Sequence, residues 1–251
     1  MKKILAFNWK MEPQSLKEAI SFFERTQTCA DLMRGNAEII ICPPFVYLNE
    51  FKNLKIKNLK LGAQNVFWEN SGHYTGEISP KMLKNLGVEY VIIGHSERRR
   101  HLNETDEMIN KKVLATLKTE LKVILCVGEP LEIRKKGKKA IENFIKNQLQ
   151  KDLKRIENLK LKIKNLAIAY EPIWAIGAGH SDTPEDALEM IKYIKKFLQT
   201  TNYKLQTKVL YGGSVDGKNI KNFLKYDEID GFLIGHASLN KNEIKTIIKS
   251  I

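Results

Sequence analysis

Short apolar runs recur along the chain, and longer segments with helical spacing lie between them. Several of these runs are continuously apolar rather than alternating, which is typical of strands that are covered on both faces. Helical spacing is clear where apolar residues recur every three or four positions, as at Leu188, Ile191, Ile194 and Leu198. The eight predicted strands are 4–9, 38–42, 59–64, 90–94, 122–127, 166–170, 208–211 and 231–234.

A strand followed by a helix, repeated eight times, predicts the α/β class and a closed parallel (β/α)8 barrel. No linker or low-complexity block interrupts the pattern, so we expect residues 1–251 to form one domain. The alternative is an open doubly wound sheet, which usually carries a GxGxxG turn after its first strand. Here that turn reads NWKM, which favours the barrel.

Capping residues mark several helix starts. Ser79 before Pro80 and Thr183 before Pro184 each place an N-cap side chain ahead of a proline suited to the first helical position. Asn103 precedes an acidic turn and predicts a third start. These signals agree with the alternation of strands and helices.

Composition limits the class of protein. Hydrophobic residues make up 43% of the chain, yet no apolar run approaches the roughly 20 residues that a membrane span needs. The first apolar run breaks at Asn8 and Lys10 without a cleavage site, so we expect a cytoplasmic protein rather than a secreted one. The three cysteines are widely spaced and odd in number, which argues against a disulfide framework and a structural metal site.

The net charge of +13 comes mainly from lysines spread over the chain, with the densest run at 134–139. A basic surface is one feature of nucleic-acid-binding proteins. No aromatic residues interleave with this run and no recognition motif is present, so we expect a solvated face and no nucleic-acid partner. The charge also favours a small anionic substrate.

Distinctive polar residues follow the predicted strands. Because the C-terminal ends of barrel strands share one rim, these residues are expected to lie together as a site. They are Asn8, Lys10, Gln64, Asn65, His95, Glu129, Glu171, the 212–214 loop, Gly235 and His236.

The segment 167–179, AIAYEPIWAIGAG, is the most informative. Glu171 ends a buried strand, where loss of water makes a carboxylate a better base. The apolar, glycine-containing loop beyond Pro172 is suited to fold over a ligand and exclude water. Proton abstraction requires this combination, although a strand-end glutamate that caps a neighbouring helix has the same pattern.

Eight motifs lie along the chain: AFNWKM at 6–11, GAQNV at 62–66, TGEIS at 75–79, IIGHSERR at 92–99, CVGE at 126–129, AYEPIWAIG at 169–177, YGGSV at 211–215 and GFLIGHAS at 231–238. Through these motifs the chain resembles the triosephosphate isomerase family. The motifs span the whole chain in the family's order, and two of them, IIGHSERR and AYEPIWAIG, are together highly specific.

The resemblance implies the single-domain TIM-barrel fold and an isomerase of glycolysis and gluconeogenesis that needs no cofactor. It would interconvert dihydroxyacetone phosphate and D-glyceraldehyde 3-phosphate through an enediolate. Glu171 would be the base and neutral His95 the electrophile. Lys10 would supply a fixed positive charge, with Asn8 contacting substrate and Glu97 placed between His95 and Lys10.

The resemblance also implies a phosphate site and a mobile lid. Phosphate would bind the backbone of two glycine-containing loops together with the tip of the lid; the residues concerned are Gly177, Gly212, Gly213, Ser214, Gly235 and His236. The lid and its contacts would include Pro172, Trp174, Ile176, Glu129 and Tyr211.

A homodimer is implied as well. The loop 64–79 would project into a neighbouring subunit, where its aromatic residues Phe67, Trp68 and Tyr74 would be buried. The interface would contain Gln64, Asn65, Thr75, Glu77 and Arg98, with Glu77 able to pair with Arg98 of the second copy.

Two departures from the family pattern affect these expectations. The lid reads Ala178-Gly179-His180 where the family has threonine, glycine and lysine, and His236 stands where the family usually has a second glycine. A protonated His236 would attract phosphate, so we predict retained activity with pH-dependent substrate affinity.

Two other functions are compatible with parts of the sequence. A Schiff-base aldolase would use Lys10 desolvated inside the barrel, and borohydride with substrate would trap it. A basic nucleic-acid-binding protein on the same scaffold would show salt-sensitive binding without turnover, but intact Asn8, Lys10, His95 and Glu171 oppose it.

Overall fold

Eight parallel strands close into a barrel in the computed structural model, which describes residues 2–31, 37–52, 56, 58–176, 182–200 and 206–251, with the backbone alone at 160–163. Each strand pairs with its neighbours in sequence, and the first pairs with the eighth. The strands are β1 Lys3–Asn8, β2 Ala37–Cys42, β3 Leu59–Ala63, β4 Tyr90–Ile93, β5 Lys122–Val127, β6 Leu166–Tyr170, β7 Lys208–Tyr211 and β8 Gly231–Ile234.

Helical segments lie between the strands along the described chain. The α-helices are α1 Leu16–Asp31, α2 Pro80–Asn85, α3 Ser96–His101, α4 Asp106–Lys118, α5 Leu131–Arg134, α6 Lys138–Asp152, α7 Pro184–Thr200, α8 Ile220–Phe223 and α9 Lys241–Lys249. Four 3-10 segments accompany them: Phe45–Phe51, Ile156–Asn165, Ile173–Ala175 and His236–Leu239.

The predicted (β/α)8 barrel is confirmed, and the open doubly wound alternative is wrong because the sheet closes. All eight predicted strands are present, but three end one residue earlier than predicted, at Asn8, Ala63 and Ile93.

Helix caps follow the sequence signals at two of three places. The N–H of Met82 donates to Ser79 Oγ over 3.2 Å at the start of α2. Thr183 Oγ1 likewise accepts from the N–H of Asp186 at 3.1 Å. The prediction at Asn103 was wrong: this residue has φ of +52°, and the cap of α4 is Thr105.

Strand alternation divides the apolar residues into two layers. Small and branched side chains fill the inside of the barrel; they include Ile4, Ala6, Ile40, Cys42, Ile92, Ile124, Cys126, Ala169, Leu210 and Leu233. The other face of each strand joins a larger core beneath the helices. The barrel is therefore packed through its middle, and open space is left at its ends.

Gly128, just beyond β5, brings the next strand close. A Cβ atom at this position would lie 1.6 Å from the carbonyl oxygen of Glu171, so only glycine fits. The N–H of Glu171 continues the ladder by donating to Val127 O at 2.8 Å. The backbone of Glu171 is thus fixed by β5 on one side before its side chain is considered.

Candidate active site

A cavity of about 870 Å³ opens at the C-terminal ends of the strands. Its walls contain charged and imidazole side chains from three strand ends and two glycine-containing loops. The residues that matter here are Asn8, Lys10, His95, Ile176, Glu171, Gly212, Gly213, Ser214, Gly235 and His236. Most of the predicted rim residues line this cavity, but Gln64, Asn65 and Glu129 do not.

Glu171 lies directly after β6 and is only 1% exposed. Its Oε2 accepts the backbone N–H of Ser96 at 3.1 Å. Its other oxygen, Oε1, has no hydrogen-bond partner within the described residues and lies 3.4 Å from Nε2 of His95. One carboxylate oxygen is thus anchored, and the other is left to accept a proton inside the cavity wall.

Two small residues shape the space around this carboxylate. A Cβ at Gly212 would lie 2.9 Å from Cγ of Glu171, so glycine at this position leaves room for the glutamate side chain beside the end of β7. Inside the barrel, Cys126 is buried, and burial together with the Glu171 carboxylate raises the pKa of its thiol. Cys126 is therefore a neutral neighbour of the carboxylate.

His95 is the N-cap of α3 and is 7% exposed. Its Nδ1 accepts the backbone N–H of Glu97 at 3.3 Å. A nitrogen that accepts a hydrogen bond carries no proton, so the proton of the neutral ring is on Nε2. Nε2 is the nitrogen nearer to Glu171 and is a hydrogen-bond donor at the active-site end of the ring.

Lys10 is held in an unusual backbone conformation, with φ of +52°. The Gln64 amide donates to the carbonyl oxygens of Lys10 and Cys42, both at 2.8 Å. Asn8 Oδ1 accepts the N–H of Lys10 at 3.0 Å. Such a conformation costs on the order of 1–3 kcal/mol in a non-glycine residue. These hydrogen bonds stabilise it and direct the side chain across the cavity mouth.

The ammonium of Lys10 is paired with Glu97, with Nζ and Oε1 2.5 Å apart. Burial of Glu97 is the largest single effect and acts to raise its pKa, but the hydrogen bond from Lys10 and the neighbouring positive charges together outweigh it, and the pKa is lowered. The ion pair opposes the neutral amine that a Schiff-base lysine requires. The arrangement instead keeps a fixed positive charge beside His95.

The two glycine-containing loops follow β7 and β8. Within the described residues, the backbone N–H groups of Gly213 and His236 donate no hydrogen bond. A Cβ at Gly213 would lie 2.2 Å from the hydroxyl oxygen of Tyr211, so this loop can follow its path only with glycine there. His236 is exposed and begins a 3-10 turn, and its ring borders the cavity. Free main-chain donors at this end suit a phosphate group.

The segment after Glu171 is tied to its surroundings. Trp174 Nε1 donates to Glu129 Oε1 at 2.9 Å, and Tyr170 donates its hydroxyl to the same carboxylate. Ser214 Oγ donates to the carbonyl oxygen of Ala175 at 2.6 Å. Pro172 is buried and Ile176 reaches the cavity. Gly177 and the departures at 178–180 lie outside the described residues.

Arg134 links both ends of this segment. Its guanidinium lies 4.8 Å from the centre of the Trp174 ring and pairs with Asp182 at 3.2 Å and Asp186 at 2.6 Å. Asp182 is 2% exposed, and burial raises its pKa to about 7 despite the charge of Arg134. Burial also raises the pKa of Glu129. One cation thus neutralises several crowded carboxylates.

Sequence reasoning missed three contributors. Ser96 was part of a recognised motif but had no role, although its N–H anchors Glu171. Cys126 entered the sequence analysis only through the number and spacing of the cysteines, although its thiol neighbours the Glu171 carboxylate. Arg134 was counted in a solvated basic run, although it is ion-paired and stacked on Trp174. The sequence feature that could have indicated a role for Arg134 is its position shortly after Glu129. Loops at the same rim of a barrel lie close together, so Arg134 could be expected to contact residues of the neighbouring loop.

The residues predicted for a subunit interface have the following exposure and contacts within the single chain. Thr75 and Glu77 are exposed. Gln64 holds Lys10 in its own chain, Asn65 Oδ1 accepts from Lys112 at 2.8 Å, and Arg98 pairs with Glu104 at 3.4 Å.

The aromatic residues of the loop 64–79 differ in exposure. The expectation that Phe67 needs a partner was wrong, because it is already buried against Trp68 and Tyr74. Trp68 is half-buried, while Tyr74 remains 47% exposed.

Comparisons with known proteins agree with this site. The family model described as Triosephosphate isomerase matches residues 3–251. A protein named Triosephosphate isomerase from Dictyoglomus turgidum is 47% identical, with 99% of each chain covered. Proteins of the same name from Dictyoglomus thermophilum and Caldanaerobacter subterraneus subsp. tengcongensis are 46% and 45% identical, with 99% and 98% of each chain covered. The chain therefore belongs to the triosephosphate isomerase family.

Proposed function

We propose that the protein interconverts dihydroxyacetone phosphate and D-glyceraldehyde 3-phosphate in glycolysis and gluconeogenesis. The observation that carries the proposal is the pairing of a buried carboxylate with an imidazole donor. Glu171 Oε1 lies 3.4 Å from His95 Nε2 in the wall of one cavity. Family membership over nearly the whole chain supports the same reaction.

The base is Glu171. It takes a proton from the hydroxymethyl carbon of the ketose and returns it to the adjacent carbon, so no cofactor is needed. Anchoring of Oε2 by Ser96 leaves Oε1 as the proton acceptor. A positioned base of this kind contributes about 10²–10⁴-fold to the rate.

The electrophile is His95. As the proton leaves carbon, negative charge develops on the carbonyl oxygen, and Nε2–H of His95 donates to that oxygen. The ring passes the Nε2 proton to that oxygen, which becomes a hydroxyl, and takes up at the same nitrogen the proton of the neighbouring hydroxyl, whose oxygen becomes the aldehyde oxygen. The ring is then neutral again. Lys10, fixed by Glu97, adds a positive charge that stabilises the enediolate. Asn8 supports this lysine and lies against the substrate.

Substrate phosphate binds to the loops at Gly212–Ser214 and Gly235–His236, together with Gly177. Main-chain N–H groups at Gly213 and His236 are suited to this role. Pro172 and Trp174 belong to one hinge of the lid and Ile176 to its tip. The contacts of the lid are Glu129, Tyr211 and Ser214. Exclusion of water by the lid protects the enediolate from losing phosphate in a side reaction.

A homodimer is part of the proposal. Apolar side chains near the cavity mouth and the 64–79 loop are strongly exposed, with Met11 at 86%, Val46 at 78% and Tyr74 at 47%. Burial in a two-fold interface that includes Thr75, Glu77 and Arg98 would remove this surface from water. Gel filtration tests this directly, and active monomer alone would contradict it.

The cellular location and the domain organisation of the protein are also proposals. No helix in the described part of the chain is long and apolar enough to cross a bilayer. We propose a cytoplasmic protein with one domain over residues 1–251. No side chains of the described residues form a metal-binding group of three or more His, Cys, Asp or Glu.

A coupled assay with each triose phosphate tests the function. Glu171→Ala should reduce kcat by about 10²–10⁴-fold. The exposed Glu132→Ala on α5 is the matched control and should behave as the parent protein. A parent protein without turnover would refute the function, and an active Glu171→Ala variant would refute the role of the base.

A further inference from the structure

A second cavity, of about 500 Å³, opens at the opposite end of the barrel from the catalytic residues. Its walls come from the first residues of β5, β6 and β7 and from the last turns of α7. The lining residues that determine its charge and its size are Lys122, Lys164, Ala167, Lys195, Lys208 and Asp230. Nothing in the proposed reaction uses this space.

Strand alternation explains why the cavity exists. Ile124, Ala169 and Leu210 face the inside of the barrel, and residues two positions earlier point the same way. Those residues are Lys122, Ala167 and Lys208, so two lysines flank an alanine at the N-terminal mouth. Ala167 pairs with Lys208 in the ladder, and its short side chain leaves the space between the lysines unfilled.

Part of the positive charge here is neutralised by carboxylates. Lys195 Nζ lies 2.6 Å from Asp230 Oδ2. Lys122 lies within 4 Å of two carboxylates, at 3.7 Å from Glu38 and 3.6 Å from Glu89. These lysines have little attraction left for a ligand.

Lys208 and Lys164 differ from them. The ammonium of Lys208 donates to the carbonyl oxygen of Lys2 at 2.7 Å, and within the described residues neither Lys208 nor Lys164 forms an ion pair. Lys208 is half-buried, so its charge is less screened than that of a lysine in open solvent. Two cations without counter-charge therefore border one concave space.

We propose that this cavity binds a phosphate group. A phosphate dianion matches two unpaired ammonium groups in charge, and lysine is a common point-charge ligand for phosphate. The cavity is much larger than a single phosphate, so the anion is either free phosphate or the phosphate end of a small organic molecule. Lys208 is the principal ligand because it is the half-buried cation without an ion pair.

Site-resolved NMR on the full-length protein tests this. Backbone amide signals of Ala167 report on the proposed site, and those of Gly213 report on the catalytic cavity. Inorganic phosphate is titrated at constant ionic strength, and adenosine 5′-monophosphate is titrated in parallel. Saturable shifts at Ala167, with a dissociation constant separate from that at Gly213, are expected. Tighter binding of the nucleotide would identify a phosphate monoester as the ligand class, and tighter binding of phosphate would identify the free anion.

Matched variants separate a site from general charge attraction. Lys208→Met should weaken binding at Ala167 by about tenfold or more, since a charge-assisted hydrogen bond is lost. The same variant should leave the Gly213 titration and kcat/KM unchanged. Lys139→Met, which removes an exposed lysine on α6, should change neither titration. Absence of saturable shifts at Ala167, or equal weakening by both variants, would overturn the proposal.

Discussion

Replacement of Gly212 by alanine tests whether the position of the Glu171 carboxylate limits the reaction. The new Cβ would lie 2.9 Å from Cγ of Glu171 and 3.4 Å from the carbonyl oxygen of Tyr170. Ordinary contacts between carbon atoms are about 3.5–4.0 Å, so the glutamate side chain has to move by roughly 0.6–1.1 Å. The backbone at Glu171 cannot absorb the shift, because Gly128 and Val127 hold it on the other side.

The expected cost follows from that displacement. A misplacement of about 1 Å in a catalytic group lowers the rate by about 10²-fold. We therefore expect Gly212→Ala to reduce kcat by about 10–100-fold, with a much smaller change in KM because the main-chain phosphate donors remain. Steady-state kinetics in both directions measure the two constants.

Gly217→Ala is the control variant, because it introduces a similar steric clash away from the catalytic base Glu171. A Cβ at Gly217 would lie 2.8 Å from Cβ of Thr246 and 3.1 Å from Glu243 Oε2. Gly217→Ala should lower the melting temperature while kcat stays within about twofold of the parent value. If Gly212→Ala kept the parent kcat, or if both variants lost kcat equally, the reasoning from carboxylate position would be wrong.

Three further predictions concern charge and hydrogen bonding. His95→Gln should lower kcat by about 10²–10³-fold, measured by the coupled assay, because the donor to the developing oxyanion is displaced; an unchanged kcat would contradict its role. Because burial raises the pKa of Asp182 to about 7, its contribution to stability is complete below about pH 4 and is lost as the pH rises through 7. The melting temperature of Asp182→Asn should therefore fall less than that of the parent between pH 5 and 8. Identical curves of melting temperature against pH would refute this. Finally, KM of the parent and of His236→Gly should depend differently on pH, because only the parent carries an imidazole beside the phosphate loops; matching profiles would exclude the interaction.

Much of the fold was predictable because strand and helix periods differ and the chain repeats them eight times. The functional rim followed from a simple geometric rule, since parallel strands end on one side of a barrel. Asn103 was misassigned because a single asparagine in a turn can adopt several backbone conformations. The packing around it decides which one forms, and here it is left-handed.

The side-chain partners could not be predicted in the same way. Ser96 and Glu171 are 75 residues apart, and Arg134 and Asp182 are 48 apart. Contacts over such separations depend on rotamers and loop paths that residue spacing does not specify. Gln64 illustrates the point: its predicted place was a subunit interface, and nothing in the sequence indicated that its amide also fixes the backbone of Lys10 within its own chain.

The central claim is that Glu171 moves a proton between two adjacent carbons of a triose phosphate. Isomerisation of dihydroxyacetone phosphate in deuterated water, followed by proton NMR of the product, tests it most directly. A proton held on the oxygen of Glu171 exchanges with solvent before it is returned, whereas a hydride shift from carbon to carbon would not exchange. We therefore predict deuterium at carbon 2 of D-glyceraldehyde 3-phosphate, and a loss of about 10²–10⁴-fold in rate for Glu171→Gln. Product that carries no solvent deuterium at this carbon, or a Glu171→Gln variant with nearly the parent rate, would contradict the account.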